Sequence, residues 1–264
     1  MRKLLQIISL AAIAALYSCT VKENRIDCPT FLDLIVRRQA DSIFQGGRAW
    51  CYLFDNDGTF FAADSLSEMD GRDTILYYSI QPKRTVTAVV SNREVCDGRV
   101  IAQEGEEMCE LYSYSKDMVC YLEQIADRID RQDKQFCRLT IVLTEDAIRL
   151  AHGLEATFTS RYNGLTYPFL KASEGQFAFT SVFSDEGEAT VRLPRQGGSG
   201  LTLHLLQPNG FAAEYDLYEA MTSCHYDWNK DSLEDMTLYI TLNTVTGNLV
   251  VEDWKTSDVS GGEF

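Results

Sequence analysis

The sequence predicts an all-β protein made of two antiparallel β-sandwich domains in tandem, and three observations support this fold class. Short runs of branched and aromatic residues alternate with polar residues in both halves of the chain, as in strands that bury one face. Turn signals rich in Gly, Pro, Asn and Asp separate these runs at short spacing. Hydrophobic residues make up 45% of the chain and aromatic residues 11%, which suits packed cores rather than disorder.

The amino terminus has the features of an export signal. Arg2 and Lys3 precede an apolar run over residues 4–16, and Ser18 leads directly into Cys19. A secretory signal requires this order of basic, apolar and small residues. The run is shorter than the roughly 20 apolar residues that span a bilayer. A cysteine after such a site resembles the bacterial lipobox, in which a diacylglycerol is attached to the thiol and cleavage makes the cysteine the first residue.

Cys19 is therefore the predicted lipidation site, with residues 1–18 as the signal peptide and residues 19–29 as a lipidated tether. The alternatives are an ordinary signal peptide with a chance cysteine and an uncleaved anchor helix. No A-x-A-like site follows, and the short apolar run disfavours an anchor helix. Each buried methylene contributes about 0.8 kcal/mol, and stable anchoring takes more than one acyl chain. A triacylated cysteine meets that requirement.

The chain is strongly acidic, with a formal net charge of −15. Removal of the signal peptide takes away its two cations and lowers this charge to −17. Nucleic acids and anionic lipid headgroups would be repelled by such a surface. The charge therefore argues against nucleic acid as a partner and suits an exported, solvated domain.

Eight cysteines are present, and seven remain if Cys19 is lipidated, so at least one thiol must stay unpaired. Export permits disulfides, but spacing alone does not assign them. The chain has no C-x-x-C pair, which disfavours a structural zinc site. Cys51 and Cys137 lie inside strand-like runs and are expected to be buried as small hydrophobes.

The first domain, residues 30–133, is predicted from five strand-like runs. Within it, the segment from Asp55 to Gly58 is a strong hairpin signal, because Asn, Asp and Gly tolerate positive φ. A calcium loop is the alternative for this segment, but the carboxylate that completes an EF-hand loop is absent. Residues 92–110 are predicted to be a loop. The five runs cover residues 30–38, 48–55, 59–64, 73–80 and 84–91.

Residues 118–129 differ from their surroundings. Met118, Leu122, Ile125 and Ile129 recur at helical spacing, which predicts a short amphipathic helix. Such a helix would either cover an open end of the sandwich or bind a partner.

The second domain, residues 134–264, carries a similar strand series without an obvious sequence repeat. Residues 216–221 are expected to form one helical turn, and the polar tail from Lys255 to Phe264 is expected to fray. The predicted strands cover residues 136–144, 154–162, 175–181, 189–193, 201–205, 211–216, 237–242 and 248–254.

Motifs of catalysis are absent from the sequence. It contains no G-x-S-x-G, no H-E-x-x-H and no P-loop. The three histidines, His152, His204 and His225, are far apart in the chain. We therefore expect no catalytic residue, no cofactor, no metal site and no enzymatic activity.

Several short segments occur together in a fixed order along the chain. They are Arg25-Ile26-Asp27-Cys28-Pro29 before the first strand, the hairpin Tyr52-Leu53-Phe54-Asp55-Asn56-Asp57-Gly58, the strand ending Val86 to Asn92, and, near the end, Tyr226-Asp227-Trp228, Asp235-Met236-Thr237-Leu238-Tyr239-Ile240 and Val250-Val251-Glu252-Asp253-Trp254-Lys255. This ordered combination, after the lipobox-like cysteine, resembles one family, the Bacteroidetes fimbrium-anchoring lipoproteins at the base of type V pili.

The resemblance implies two tandem transthyretin-like sandwiches on an outer-membrane lipid anchor, bound non-covalently to the first shaft subunit. In shaft subunits a protease removes the first strand, and a neighbour's strand fills the groove by strand addition. An anchor is expected to keep its own first strand, here residues 30–38, and its lipid on Cys19. Residues 22–24 also loosely resemble the charged segment that sends some Bacteroidetes lipoproteins to the outer surface of the cell, although a solvated linker would look the same.

The expected function is therefore structural: an outer-membrane lipoprotein, exposed at the cell surface, that fixes a fimbria to the cell and limits its length. An accessory or tip fimbrial subunit is an alternative within the same system. A surface glycan-binding lipoprotein is an alternative from another class, with rings that could stack on sugars but could equally be core or cross-strand pairs. Those rings are Trp50, Tyr77, Tyr78, Tyr112 and Tyr114.

We expect the mature protein to begin at Cys19 and to carry acyl chains on that residue. Mass spectrometry of the amino-terminal peptide from the native membrane fraction measures this directly. An unmodified terminus at another residue would contradict the lipid anchor.

Overall fold

The computed structural model describes residues 30–36, 48–66, 74–80, 84–120, 125–129, 132–145, 148, 152–208, 210, 212–245 and 248–256. These residues form seventeen strands and one short helix in four sheets. The predicted signal peptide, Cys19 and the tether over residues 19–29 lie outside the described residues.

The strands follow one another closely along the chain. Their bounds are β1 Thr30–Val36, β2 Ala49–Asp55, β3 Phe60–Leu66, β4 Thr74–Ile80, β5 Thr85–Ser91, β6 Arg99–Ile101, β7 Tyr112–Val119, β8 Ile125–Ile129, β9 Asp133–Lys134, β10 Phe136–Leu143, β11 Glu155–Thr166, β12 Lys171–Val182, β13 Glu188–Pro194, β14 Thr202–Leu206, β15 Ala212–Asp216, β16 Met236–Val245 and β17 Asn248–Thr256, with helix α1 at Leu217–Ser223.

The first sandwich packs a three-stranded sheet of order β4-β1-β8 against a five-stranded sheet of order β3-β2-β5-β7-β9. Leu32 and Leu34 of β1 are fully buried against Leu53 of β2 and Val90 of β5, all in one apolar cluster. The alternation of buried and outward-facing residues explains why residues 30–36 form a strand, because every second side chain of a strand enters the core.

The second sandwich has the same topology. Its two sheets have the orders β13-β10-β16-β17 and β12-β11-β14-β15. Strand β10 pairs antiparallel with β13 and parallel with β16, as β1 pairs antiparallel with β4 and parallel with β8. The two sandwiches thus correspond strand by strand: β1 to β5 match β10 to β14, β7 matches β15, and β8 matches β16. The predicted fold class, two antiparallel β-sandwiches in tandem, is confirmed. The division between residues 133 and 134 stays a prediction.

The predicted turns form as the local chemistry suggests. In the first hairpin the Gly58 amide donates to the Asp55 carbonyl at 2.8 Å, and Gly58 takes a φ of +83°. Helix α1 confirms the predicted helical turn, because the Asp216 carboxylate accepts from the Glu219 amide at 2.9 Å and caps the helix.

The helix predicted over residues 118–129 is wrong. Met118 belongs to β7 and lies opposite Val86 of β5, and residues 125–129 form β8 in parallel register with β1. The apolar spacing satisfied a period of 3.6, but strand partners distant in sequence decided the conformation. Pairing of the backbone with β5 and β1 outweighs the local periodicity.

The six cysteines among the described residues are free thiols. Cys51 and Cys137 are fully buried, as the sequence predicted. Burial raises the pKa of each thiol to about 12, so both remain protonated and unreactive at neutral pH.

The segment after β5 joins the first sandwich to the second, and the loop predicted over residues 92–110 is wrong at Arg99–Ile101, which form a strand. It contains β6, which pairs with β11 of the second sandwich. The Met108 amide donates to the Arg192 carbonyl at 2.9 Å, and an Arg192 guanidinium nitrogen lies 2.6 Å from the Glu107 carboxylate. We call residues 92–111 the connecting segment.

The connecting segment approaches β11 closely at Gly164. A Cβ placed at this glycine would lie 2.1 Å from the Val100 carbonyl oxygen. Such contact between a side chain and backbone cannot be relieved by a rotamer change, so the approach requires glycine.

We expect Gly164→Ala to destabilise the protein by about 1–3 kcal/mol, because the added methyl group must push β6 away from β11. The midpoint of urea-induced unfolding of the whole chain measures the loss. Gly198→Ala is the matched control, since its nearest contacts are side-chain atoms of Arg161 and Tyr162 at 3.4 Å. Equal midpoints for the two variants would contradict the close approach.

Candidate functional site

The first strand is the element to which the sequence assigned a functional role, and it lies in the middle of its sheet. Leu32 is opposite Tyr78 of β4 on one side and opposite Ile125 of β8 on the other. Both edges of β1 are therefore hydrogen-bonded along residues 32–36. Full burial of Leu32 and Leu34 contributes about 1.5–3 kcal/mol for each side chain. The groove between β4 and β8 is thus filled by the protein's own strand.

The outward face of β1 is partly apolar. Phe31 is 53% exposed and Tyr77 of β4 is 69% exposed. Tyr77 lies opposite Asp33, two residues after Phe31, so both rings lie on the outer face of this sheet.

The remaining rings that the sequence offered for sugar stacking have different roles. Trp50 packs against the core, and Tyr112 packs edge-on against Phe136 with ring centroids 5.5 Å apart. The Tyr78 hydroxyl donates to the Asp64 carboxylate at 2.7 Å. Tyr114 lines a cleft between the two sandwiches. Of these five rings, Tyr114 is therefore the one that the structure places in the cleft between the sandwiches.

The junction between the two sandwiches is tightly packed around Tyr167. Its hydroxyl lies 2.5 Å from the Ser113 hydroxyl and 3.4 Å from the Ser91 hydroxyl, and both serines are fully buried. Burial raises the pKa of Tyr167 to about 12. Tyr52 and Phe54 of β2 belong to the same apolar cluster as the core of the second sandwich. The two sandwiches thus share a core at their junction.

A cleft of 790 Å³ opens beside this junction. One wall comes from β5 and β7, and the other comes from the start of β12 and two loops over residues 195–197 and 228–231. Its rim carries carboxylates, lysines and the exposed ring of Phe169. The lining residues come from seven separate stretches of the chain.

The described part of the chain lacks two other kinds of feature. It has no group of three or more His, Cys, Asp or Glu side chains that could hold a metal ion. It also has no helix that is both long and apolar enough to cross a membrane.

The sequence reasoning missed the connecting segment and the cleft. One signal could have indicated the first of these: Gly164 interrupts an otherwise regular strand pattern, and such a glycine often marks a close backbone approach. The cleft had no comparable signal.

The geometry defines a class: a protein of two tandem sandwiches with the same topology, in which the first strand of each occupies the centre of a sheet. Solved structures with this fold include the fimbrial anchor protein Mfa2 from Porphyromonas gingivalis, with a TM-score of 0.63 and 14% identity over 87% of this chain and 98% of that chain. The fold implied by the sequence resemblance is thereby confirmed.

Two further solved structures are similar. A candidate polysaccharide-binding protein from Bacteroides thetaiotaomicron has a TM-score of 0.59 and 10% identity, covering 86% of this chain and 96% of its own. A candidate adhesin from the same organism has a TM-score of 0.55 and 13% identity, covering 88% and 97%. No family model and no curated protein sequence matches the chain. At these identities the comparisons show the fold.

We expect Leu34→Ala to destabilise the protein by about 2–5 kcal/mol, because it leaves a cavity beneath the central strand. Phe31→Ala, on the exposed face of the same strand, should change stability by no more than about 0.5 kcal/mol. Urea-induced unfolding of both variants measures the difference. A similar small loss for both would show that β1 does not stabilise the sandwich.

Proposed function

We propose that this protein is an outer-membrane lipoprotein that anchors a fimbria to the cell surface and limits its length. Acyl chains on Cys19 hold it to the outer membrane, residues 19–29 act as the tether, and residues 30–133 and 134–264 form two structural domains. The role is mechanical rather than enzymatic.

The observation that carries this proposal is the position of β1. A strand with both edges paired and two leucines fully buried leaves no groove for a donor strand between β4 and β8. A subunit that keeps this strand, without the cleavage that opens the groove of a shaft subunit, suits the end of a polymer rather than its middle, because strand addition needs an open sheet edge. The anchor expected from the sequence keeps its first strand in this way.

The similarity to the fimbrial anchor protein Mfa2 supports the same role. The partner is then a fimbrial shaft subunit, bound through protein–protein contacts that include strand addition at a sheet edge other than the position that β1 fills. The lipobox-like sequence at Cys19 supports a lipid-anchored location, and the charged segment at residues 22–24 supports exposure of the folded domains at the cell surface.

The packing of the junction suits a mechanical role. Shared core residues and backbone pairing of β6 with β11 join the two sandwiches, so a pull on one domain is transmitted through packed side chains rather than through a flexible linker. An accessory or tip subunit would need the same fold but not the lipid. A glycan-binding lipoprotein is a second candidate, favoured by the cleft beside Tyr114.

We expect Cys19→Ala in the native organism to release intact fimbriae into the medium, because the fimbria would lose its hold on the membrane. Immunoblotting of cells and medium, together with electron microscopy of fimbrial length, measures this outcome. Cys96→Ala is the matched control, since Cys96 is an exposed free thiol.

Two other results would contradict anchoring. Fimbriae that stay attached to the Cys19→Ala cells would show that another subunit holds them. Loss of sugar capture with fimbriae unchanged would favour the glycan-binding alternative.

A further inference from the structure

We propose that the cleft between the two sandwiches is a binding site for a neutral oligosaccharide. This activity goes beyond anchoring and would give the base of the fimbria a contact with a glycan. We define the glycan cleft as the 790 Å³ cavity lined by Tyr114, Asp117, Phe169, Glu174, Arg195 and Trp228, among others.

The size and position of the glycan cleft suit a ligand. Binding sites for small molecules occupy about 300–1,000 Å³ and occur preferentially at domain interfaces. The cleft meets both conditions, because β7 supplies one wall and the start of β12 supplies the other.

Phe169 presents a large apolar ring at the rim. It is 59% exposed, although contacts hold the backbone beside it in place. The Ser115 hydroxyl donates to the carbonyl of the preceding Pro168 at 2.9 Å, and Gly58 lies so close that a Cβ there would be 3.4 Å from the Phe169 ring. An exposed aromatic ring on a supported backbone is a suitable platform for the apolar face of a sugar ring.

The polar groups around the ring include both acceptors and donors. Asp117 accepts from the Thr87 hydroxyl at 2.6 Å, which orients its carboxylate in the wall. Glu174 adds a second carboxylate on the opposite wall, while Lys230 adds an ammonium group. Sugar hydroxyls both donate and accept hydrogen bonds, so such a mixed lining suits them. The carboxylates and the net charge of −15 disfavour an acidic glycan.

Two buried donors in the lining have no acceptor. The Nε of Arg195 and the Nε1 of Trp228 make no hydrogen bond, although these residues are only 7% and 3% exposed. The other guanidinium nitrogens of Arg195 are satisfied, with Nη1 donating to the Trp228 carbonyl at 2.6 Å and Nη2 to Gln135 at 2.8 Å. Buried donors usually have partners. Both residues line the cleft, so two donors without a partner lie directly behind its surface.

The test uses the purified, detergent-solubilised mature protein and four neutral probes: maltohexaose, cellohexaose, mannohexaose and xylohexaose. Isothermal titration calorimetry measures binding, and tryptophan fluorescence, to which Trp50, Trp228 and Trp254 all contribute, gives a second readout. We expect at least one probe to bind, and hexagalacturonate, an acidic comparator, to bind much more weakly. No heat and no fluorescence change with any neutral probe up to about 10 mM would overturn the proposal.

Variants then locate the site. Phe169→Ala should weaken binding about tenfold or more, because it removes the stacking surface, and Phe169→Trp should preserve it. Phe31→Ala is the matched control, since Phe31 is 53% exposed on a different sheet. Binding that survives Phe169→Ala, or that falls equally with Phe31→Ala, would place the site elsewhere. These measurements do not depend on fimbriae, so their failure is distinct from failure of the anchoring proposal.

Discussion

The pairing of β1 on both edges is the constraint on which the first sandwich depends. A strand in the centre of a three-stranded sheet supplies hydrogen bonds to both neighbours. Removing it would leave two open edges and expose the leucines that face the core, with a large loss of apolar burial. The same position is held by β10 in the second sandwich. The molecule therefore consists of two units that each complete their own sheet.

The two units are joined by packing rather than by a linker alone. Residues of β2 contribute rings to the second core, Tyr167 places its hydroxyl among serines of the first sandwich, and β6 adds to the edge of β11. A junction of this kind resists bending because interiors are close-packed and deform little. The same arrangement leaves a polar cleft beside the junction, so rigidity and a concave surface arise from one set of contacts.

Much of the fold could be predicted because strands and turns have local signatures. The alternation of apolar residues in β1, the Asp55–Gly58 turn and the Asp216 cap each lie within a few residues, and each formed as expected. The helix expected over residues 118–129 did not form, because the conformation of these residues depends on partners that are distant in the chain. Its apolar residues satisfied a helical period, but β5 and β1, which decide the conformation by pairing, come from other parts of the chain.

By itself the sequence determined the fold class, the positions of most strands and the acidic net charge, and it predicts a lipidation site at Cys19, since all of these depend on composition or on neighbours in the chain. Only the tertiary structure decided that both halves share one topology, that residues 92–111 join the two sandwiches, and that Tyr114, Phe169 and Trp228 line one cleft. These features bring together residues that are dozens of positions apart. Their physical cause is long-range backbone pairing and shared burial, which no local pattern records.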